Sequence, residues 1–199
     1  MYGLAYTYGS HLDLDASFGR AAPTVLEIGC GSGEALVDLA RRYPGKNFVG
    51  VDWFRSGIAT CLTELNAQEM TNVRLVRADA AGLLEMGLAD APLLDEVKIF
   101  FPDPWYGSPF RRIVRPDVMR QISRRMRPSG LLHVATDVEG YPEHVREVVL
   151  DPAAAGAHWR VITDAPSPDP TRPSTRYERE GIAAGRRIED LHFAFDREL

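Results

Sequence analysis

In "FFPDPW", residues 100–105, Asp103 stands between two prolines and an indole follows directly. Proline fixes its own φ and restricts the residue before it, so the Asp103 carboxylate is held stiffly. Such a group can accept hydrogen bonds from a substrate or offset positive charge that develops beside it. Trp105 adds a flat face for stacking. A second group begins at "EIGCGSGEA", where Glu27 precedes Gly29, Gly31 and Gly33. Alternate glycines make a tight turn that backbone can bring close to a ligand. A dinucleotide fingerprint would place its last glycine at position 34, where this chain has Glu34. That glutamate is unfavourable beside a pyrophosphate.

Acids recur at the ends of the next two apolar runs. Asp52, with Trp53 beside it, closes "NFVGVD", and Asp79, with Ala80 beside it, closes "NVRLVRAD". Asp52 suits the two ribose hydroxyls, and Asp79 or the backbone at Ala80 suits an adenine amino group. Taken singly, each aspartate also fits a helix N-cap. Taken together, an uncharged turn surrounded by acids suits a cationic adenosine ligand, S-adenosylmethionine (AdoMet). Phe101 and Pro102, entering the Asp103 segment, join Glu27, the three glycines, Asp52, Trp53, Asp79 and Ala80 as cofactor-side residues. The residue pattern calls for no metal.

These groups need elements to position them. "TVLEIG", "NFVGVD", "NVRLVRAD", "LDEVKIFF" and "GLLHVATD" read as strands. Between them lie helical patterns: "GEALVDLARRYP" stopped by Pro44, a helix from about Ser56 to Glu69, a short one at "AAGLLEMG", and "RPDVMRQISRRMRPSG" ending at Pro128. "YPEHVREVVL" continues as a helix, and "HWRVIT" with "DLHFAF" closes the sheet as a hairpin. Strand and helix alternating in this way predict an α/β fold with a mostly parallel sheet. In such sheets ligands lie beyond the carboxyl ends of the strands, where the acids and glycines fall. Four prolines within residues 164–175, "DAPSPDPTRPST", predict an irregular stretch.

Composition sets the outer bounds. With 45% hydrophobic and 26% charged residues, the chain of 199 residues reads as a water-soluble protein of ordinary domain size. No apolar run is long enough to span a membrane, and the N-terminus lacks a signal-peptide layout. The two cysteines have neither metal nor redox spacing. A reducing, cytoplasmic setting follows as the expectation. A formal net charge of −5 lowers the expectation of nucleic-acid binding. Against it stands one basic stretch, Arg111, Arg112, Arg115, Arg120, Arg124, Arg125 and Arg127, with Asp117 its lone acid.

"LEIGCGSG", "GVD", "RADA", "FFPDPW", "RRIVRPD", "HVATD" and "RPSTRYERE", in this order, resemble the tRNA (guanine-N7-)-methyltransferase family from Phe18 to Phe195. The resemblance implies a Rossmann-like class I methyltransferase: a seven-stranded, mostly parallel sheet with an antiparallel last strand and helices on both faces. It implies one AdoMet-dependent domain over residues 1–199, with a short N-terminal segment (1–20) and a substrate-side loop (164–180). It makes Asp103 the catalytic residue, and Thr136, Asp137, Thr175 and Glu178 substrate contacts. Trp105, Tyr106, Arg176 and Tyr177 join Asp103 on the substrate side, with Arg172, Arg176 and Tyr177 expected to close over the site as a mobile lid. The product would be S-adenosyl-L-homocysteine.

The chain departs from the family where a basic loop normally follows "PDPW". Here the stretch is the shorter "YGSPFRR", without lysine or histidine. A basic N-terminal arm is also missing, with only Arg20 and His11 before Glu27. Fewer phosphate contacts mean weaker polynucleotide binding. The preferred expectation is therefore N-methylation of a purine-like or fused heteroaromatic small molecule, with Tyr106 and Phe110 walling its pocket, by a monomer or homodimer. The alternative is tRNA guanine-N7 methylation with the arginine stretch as RNA grip. A non-catalytic AdoMet-binding scaffold and a nicotinamide oxidoreductase are weaker readings, opposed respectively by Asp103 and by Glu34.

Overall fold

The computed structural model describes residues 3–4, 11–88 and 93–196, so part of the expected N-terminal segment (residues 1–2 and 5–10) lies outside the described residues. The strands are β1 (Gly3–Leu4), β2 (Thr24–Ile28), β3 (Asn47–Asp52), β4 (Val73–Arg77), β5 (Leu94–Phe100), β6 (Met126–Thr136), β7 (His158–Val161) and β8 (Glu189–Asp196). They form one sheet in the order β1-β4-β3-β2-β5-β6-β8-β7. β8 runs antiparallel to both β6 and β7, and every other pairing is parallel. The expected seven-stranded sheet with its antiparallel last strand is present. The two-residue β1 extends it beside β4.

Alternation within each strand divides the core into two layers. Leu26, Ile28, Val49, Val51, Val97, Ile99, Leu132 and Val134 point to one face. There they meet Val118, Met119 and Ile122 of α5 (Pro116–Arg125) and Val145 and Val149 of α6 (Tyr141–Leu150). Val25, Phe48, Val73 and Leu75 point to the other face, against Leu36 and Leu39 of α2 (Glu34–Arg42) and Ile58, Cys61 and Leu65 of α3 (Arg55–Ala67). Burial on both faces makes these strands near-continuous apolar runs.

One helix boundary differs from expectation. α5 ends at Arg125, not Pro128, and β6 already begins at Met126. Met126 is already extended and pairs with Leu94 of β5, so the chain leaves the helix two residues before Pro128, while the Arg125 side chain turns inward to donate to the Leu88 carbonyl at 3.1 Å. Three short helices complete the set: α1 (Leu14–Phe18) before β2, α4 (Ala80–Gly82), a single turn after β4 followed by a π-helical turn over Leu83–Gly87, and α7 (Pro152–Ala155) after α6.

Candidate active site

Register aligns the strand ends. Ile28 pairs with Val51 and Ile99, Asp52 with Arg77, and Phe100 with Ala135. The residues that follow each strand therefore share one edge of the sheet.

The glycine turn after β2 is left-handed at Gly29 (φ 76°), Gly31 (φ 53°) and Gly33 (φ 84°), a region that penalises any Cβ. Asp52 ties it down from β3. One carboxylate oxygen accepts from the Gly31 amide at 2.8 Å and the other from the Phe54 amide at 2.7 Å. Each oxygen keeps further lone pairs for a ligand hydroxyl. Gly57, on α3, escaped the sequence reading: a Cβ there would lie 2.7 Å from the Gly31 carbonyl oxygen. It resembles any helix residue until the helix is docked on the turn.

Glu27 is 3% exposed in the middle of the sheet. Burial, which outweighs nearby Lys98 and is reinforced by Asp52, pushes its carboxyl up to about 8. Its Oε2 is buried with no hydrogen-bond partner. A buried, unpartnered carboxyl beside a glycine turn fits a cationic ligand there. Asp79 is exposed and caps the next helical turn, accepting from the Gly82 amide at 2.8 Å. Ala80 is half-buried, and Trp53 is 62% exposed with Arg77 over its ring at 5.6 Å.

The segment after β5 is strained on both sides of Asp103. Phe101 (φ 50°) and Trp105 (φ 44°) are left-handed although neither is glycine. That conformation costs on the order of 1–2 kcal/mol per residue and persists where the surroundings impose it. The Phe101 amide donates to Ala135 at 2.8 Å, and Arg112 Nε donates to the Pro104 carbonyl at 2.8 Å. Pro102 and Pro104 are half-buried between these anchors, whereas Asp103 is exposed. Among the described residues, no hydrogen bond or ion pair engages its carboxylate. Arg111 covers one face of Trp105, 3.6 Å from the ring centroid. Tyr106 and Phe110 are 75% and 76% exposed, so they do not wall a pocket.

The remaining candidates come from β6 and the C-terminal third. Thr136 is buried and accepts from the Val138 amide at 3.2 Å. Asp137 accepts from Arg186 at 2.8 Å and packs on Gly181, whose Cβ would lie 2.7 Å from its carboxylate. Gly181 belongs to α8 (Arg176–Ala183). Thr175 is the N-cap of α8, accepting from the Glu178 amide at 3.3 Å. Tyr177 is half-exposed with Arg176 over its ring at 4.9 Å. Glu34, read in the sequence only as an obstacle to pyrophosphate, accepts from the Arg176 amide at 2.5 Å and from Arg179 at 3.2 Å. It latches the start of α8 to the glycine turn.

Residues 164–175 contain no helix or strand, as expected. They are not free in the manner of a lid. The Asp169 amide donates to Asp190 at 3.0 Å, Ser167 Oγ accepts from the Asp190 amide at 2.9 Å, and Arg172 pairs with Asp190 at 2.7 Å. His133, Asp190 and His192 bring potential ligand atoms within 4.8 Å of one another. Both Asp190 oxygens are already taken by Arg172, His133 and the Asp169 amide. The cluster is an ion-pair core and a poor cation site.

The arginine stretch disperses. Arg111 and Arg112 flank the Asp103 segment. Arg115 pairs with Asp117, Arg120 bonds the Ala154 carbonyl, Arg125 is buried and Arg127 faces Asp95. Four other arginines border the site from the C-terminal third, each with its side chain about half exposed or more: Arg176, Arg179, Arg186 and Arg187. Their spread over twelve positions hid them from a search for basic runs. A cleft of about 530 Å³ opens between α2, α3 and Pro173–Ser174, on the outer side of the turn, and Asp103 is not among its walls.

Among known proteins, a family model described as "Putative methyltransferase" matches residues 21–191. A Shewanella frigidimarina protein named tRNA (guanine-N(7)-)-methyltransferase is 40% identical over 96% of this chain and 80% of its own length. A Cutibacterium acnes protein of the same name is 44% identical over 92% of this chain and 67% of its own length. In structure, the 16S rRNA methyltransferase KamB superposes with a TM-score of 0.67 at 17% identity, covering 92% of each chain. The antibiotic-resistance methyltransferase Kmr gives 0.62 at 20%, covering 98% of this chain and 96% of its own. At those identities the structural likeness establishes the fold.

Proposed function

The chain belongs to the tRNA (guanine-N(7)-)-methyltransferase family, and on that premise we propose that it transfers a methyl group from AdoMet to N7 of a guanine in tRNA. The observation that carries the reading is the Asp103 carboxylate, unpaired, between two strained residues, beyond the strand that neighbours the glycine turn.

When bound, AdoMet supplies an electrophilic methyl carbon on a sulfonium centre. Gly29, Gly31 and Gly33 give it backbone to lie against, Asp52 offers acceptors for ribose hydroxyls, and Glu27 offers a buried counter-charge. Guanine N7 carries a lone pair and no proton, so its attack needs alignment rather than a base. On accepting that methyl group, the purine ring would take over the positive charge that leaves the sulfonium. Asp103 offsets that charge. Glu178 accepts from N1–H and the 2-amino group, which fixes the ring so that N7 faces the methyl carbon. Arg111, Arg112, Arg176, Arg179, Arg186 and Arg187 border this edge and supply phosphate contacts that a net charge of −5 conceals.

A small heteroaromatic acceptor, preferred on the sequence alone, gains no support. Tyr106 and Phe110 stand in solvent, and the relatives that match over nine-tenths of the chain carry the tRNA name. The test is methyl transfer from radiolabelled AdoMet to unmodified bulk tRNA. Labelling that falls at least a hundredfold in Asp103→Ala supports the proposal. Absence of labelling by the native protein, with AdoMet bound in calorimetry, overturns it.

A further inference from the structure

Glu178 does not stand alone at the substrate edge. Its Oε1 accepts from Arg172 Nη2 at 2.7 Å, and the Arg172 side chain is 1% exposed. The same guanidinium grips Asp190 with two bonds, Nε to Oδ1 at 2.7 Å and Nη2 to Oδ2 at 3.2 Å. Asp190 is anchored in turn by His133 Nε2 at 2.5 Å and by the Asp169 amide at 3.0 Å. His133 stacks on His192 with centroids 4.0 Å apart and meets Phe100 edge-on at 4.9 Å. The rings of Phe100 and Phe101 lie 5.7 Å and 5.2 Å from the Arg172 guanidinium carbon. The line of contacts thus runs from the middle of the sheet, through one buried arginine, to a carboxylate at the site.

That arrangement is costly unless orientation matters. A buried arginine shared between two carboxylates is no more stabilising than apolar packing of equal volume. What it provides is a fixed direction: a planar fork matches carboxylate geometry and leaves few rotamers to either partner. Arg172 uses one acceptor site on Glu178, and an ionised carboxylate has about four. The remainder stay available for two parallel N–H groups on a planar ring.

We propose that Arg172 is a positioning residue for substrate discrimination: braced by Asp190, it aims the Glu178 carboxylate so that a ring bearing both N1–H and an exocyclic 2-amino group is preferred. The proposal rests on the reading of Glu178 given above. Arg172 never touches the substrate, and its influence is exerted on specificity more than on AdoMet binding.

The experiment compares tRNA transcripts carrying guanosine or inosine at the methylated position. Inosine keeps N7, O6 and N1–H and lacks only the 2-amino group. Losing one partner of a paired contact costs discrimination of about tenfold or more, so the native enzyme should favour guanosine by that factor in kcat/KM. Glu178→Gln, which leaves an amide that can accept only one of the two bonds, should shrink the preference to within about threefold of unity and sets the scale. Arg172→Met should collapse it similarly, while AdoMet affinity by calorimetry stays within about twofold. Arg172→Lys, which keeps the charge without the fork, should recover part of it and serves alone should the methionine variant not fold. A guanosine preference left at the native value in Arg172→Met, or in Arg172→Lys when that variant stands alone, overturns the positioning role whatever the loss in overall rate. A native preference retained by Glu178→Gln overturns the reading of Glu178 and the proposal with it, a result separable from an Arg172 effect because the two variants are scored independently.

Discussion

Replacing Glu27 by glutamine should stabilise the ligand-free protein above neutral pH. The side chain is 3% exposed, and burial holds its carboxyl at about 8 against an ordinary value of 4.5. The folded protein therefore keeps this proton up to about pH 8, whereas the unfolded chain gives it up near 4.5. Between those limits the unfolded state binds fewer protons, so stability falls as pH rises. The two values lie roughly 3.5 apart and each unit corresponds to ~1.4 kcal/mol, which sets a ceiling of about 5 kcal/mol. Local relaxation and water entry lower such penalties, so an observed difference of about 2–4 kcal/mol is expected. Glutamine matches the protonated acid in shape and has no charge to bury. Urea denaturation of both proteins from pH 4 to pH 9 is the assay, because pH effects shared by the two cancel in the difference. The curves should run together near pH 4 and separate steadily to about pH 8. Two proteins that track one another over the whole range would refute the argument. In the native protein, AdoMet binding at pH 7 should release close to one proton, read from calorimetry in buffers of different ionisation enthalpy.

Three other outcomes follow from the same geometry. Gly57→Ala places a methyl 2.7 Å from the Gly31 carbonyl oxygen; AdoMet affinity should fall about tenfold or more in calorimetry, and an unchanged affinity would show that the turn yields easily. His133, held near 4 chiefly by burial, stays neutral in the folded protein while the unfolded chain protonates near 6.5, so its contribution is full above 6.5 and is lost as pH falls towards 4. His133→Gln should flatten that part of the stability curve by roughly 1–3 kcal/mol in urea titrations. Asp190, held at about 2 by His133 and Arg172 against its burial, contributes above pH 3.8 and loses that contribution as pH falls through 2, so Asp190→Asn should be clearly less stable at neutral pH and approach the native protein near pH 2.

The central strands were legible because burial on both faces writes them as short apolar runs, and "NFVGVD" begins and ends where β3 does. The Asp103 segment was legible because two prolines and a tryptophan are strong local signals, though its bracketing by left-handed Phe101 and Trp105 was not. The α5 boundary was misplaced because Pro128 looked like the stop, while the chain already leaves the helix at Met126 to pair with Leu94, a partner more than thirty positions away. What local pattern could not convey was reach. Glu34 holds an amide 142 positions away, and Asp190 meets His133 across 57. Such partners become visible only when strands and loops are laid side by side. The irregular stretch at 164–175 was visible from its prolines, but the contacts that pin it to the sheet come from β8 and carry no mark in the segment itself.

The most direct test of tRNA guanine-N7 methylation sets an unmodified tRNA transcript against free guanosine at equal guanine concentration, with labelled AdoMet and mass spectrometry of the digested product. The account predicts 7-methylguanosine at one position of the tRNA, at a rate at least a hundredfold above that for the free nucleoside. Methylation of the free nucleoside at an equal or greater rate, or of a tRNA atom other than guanine N7, would contradict it.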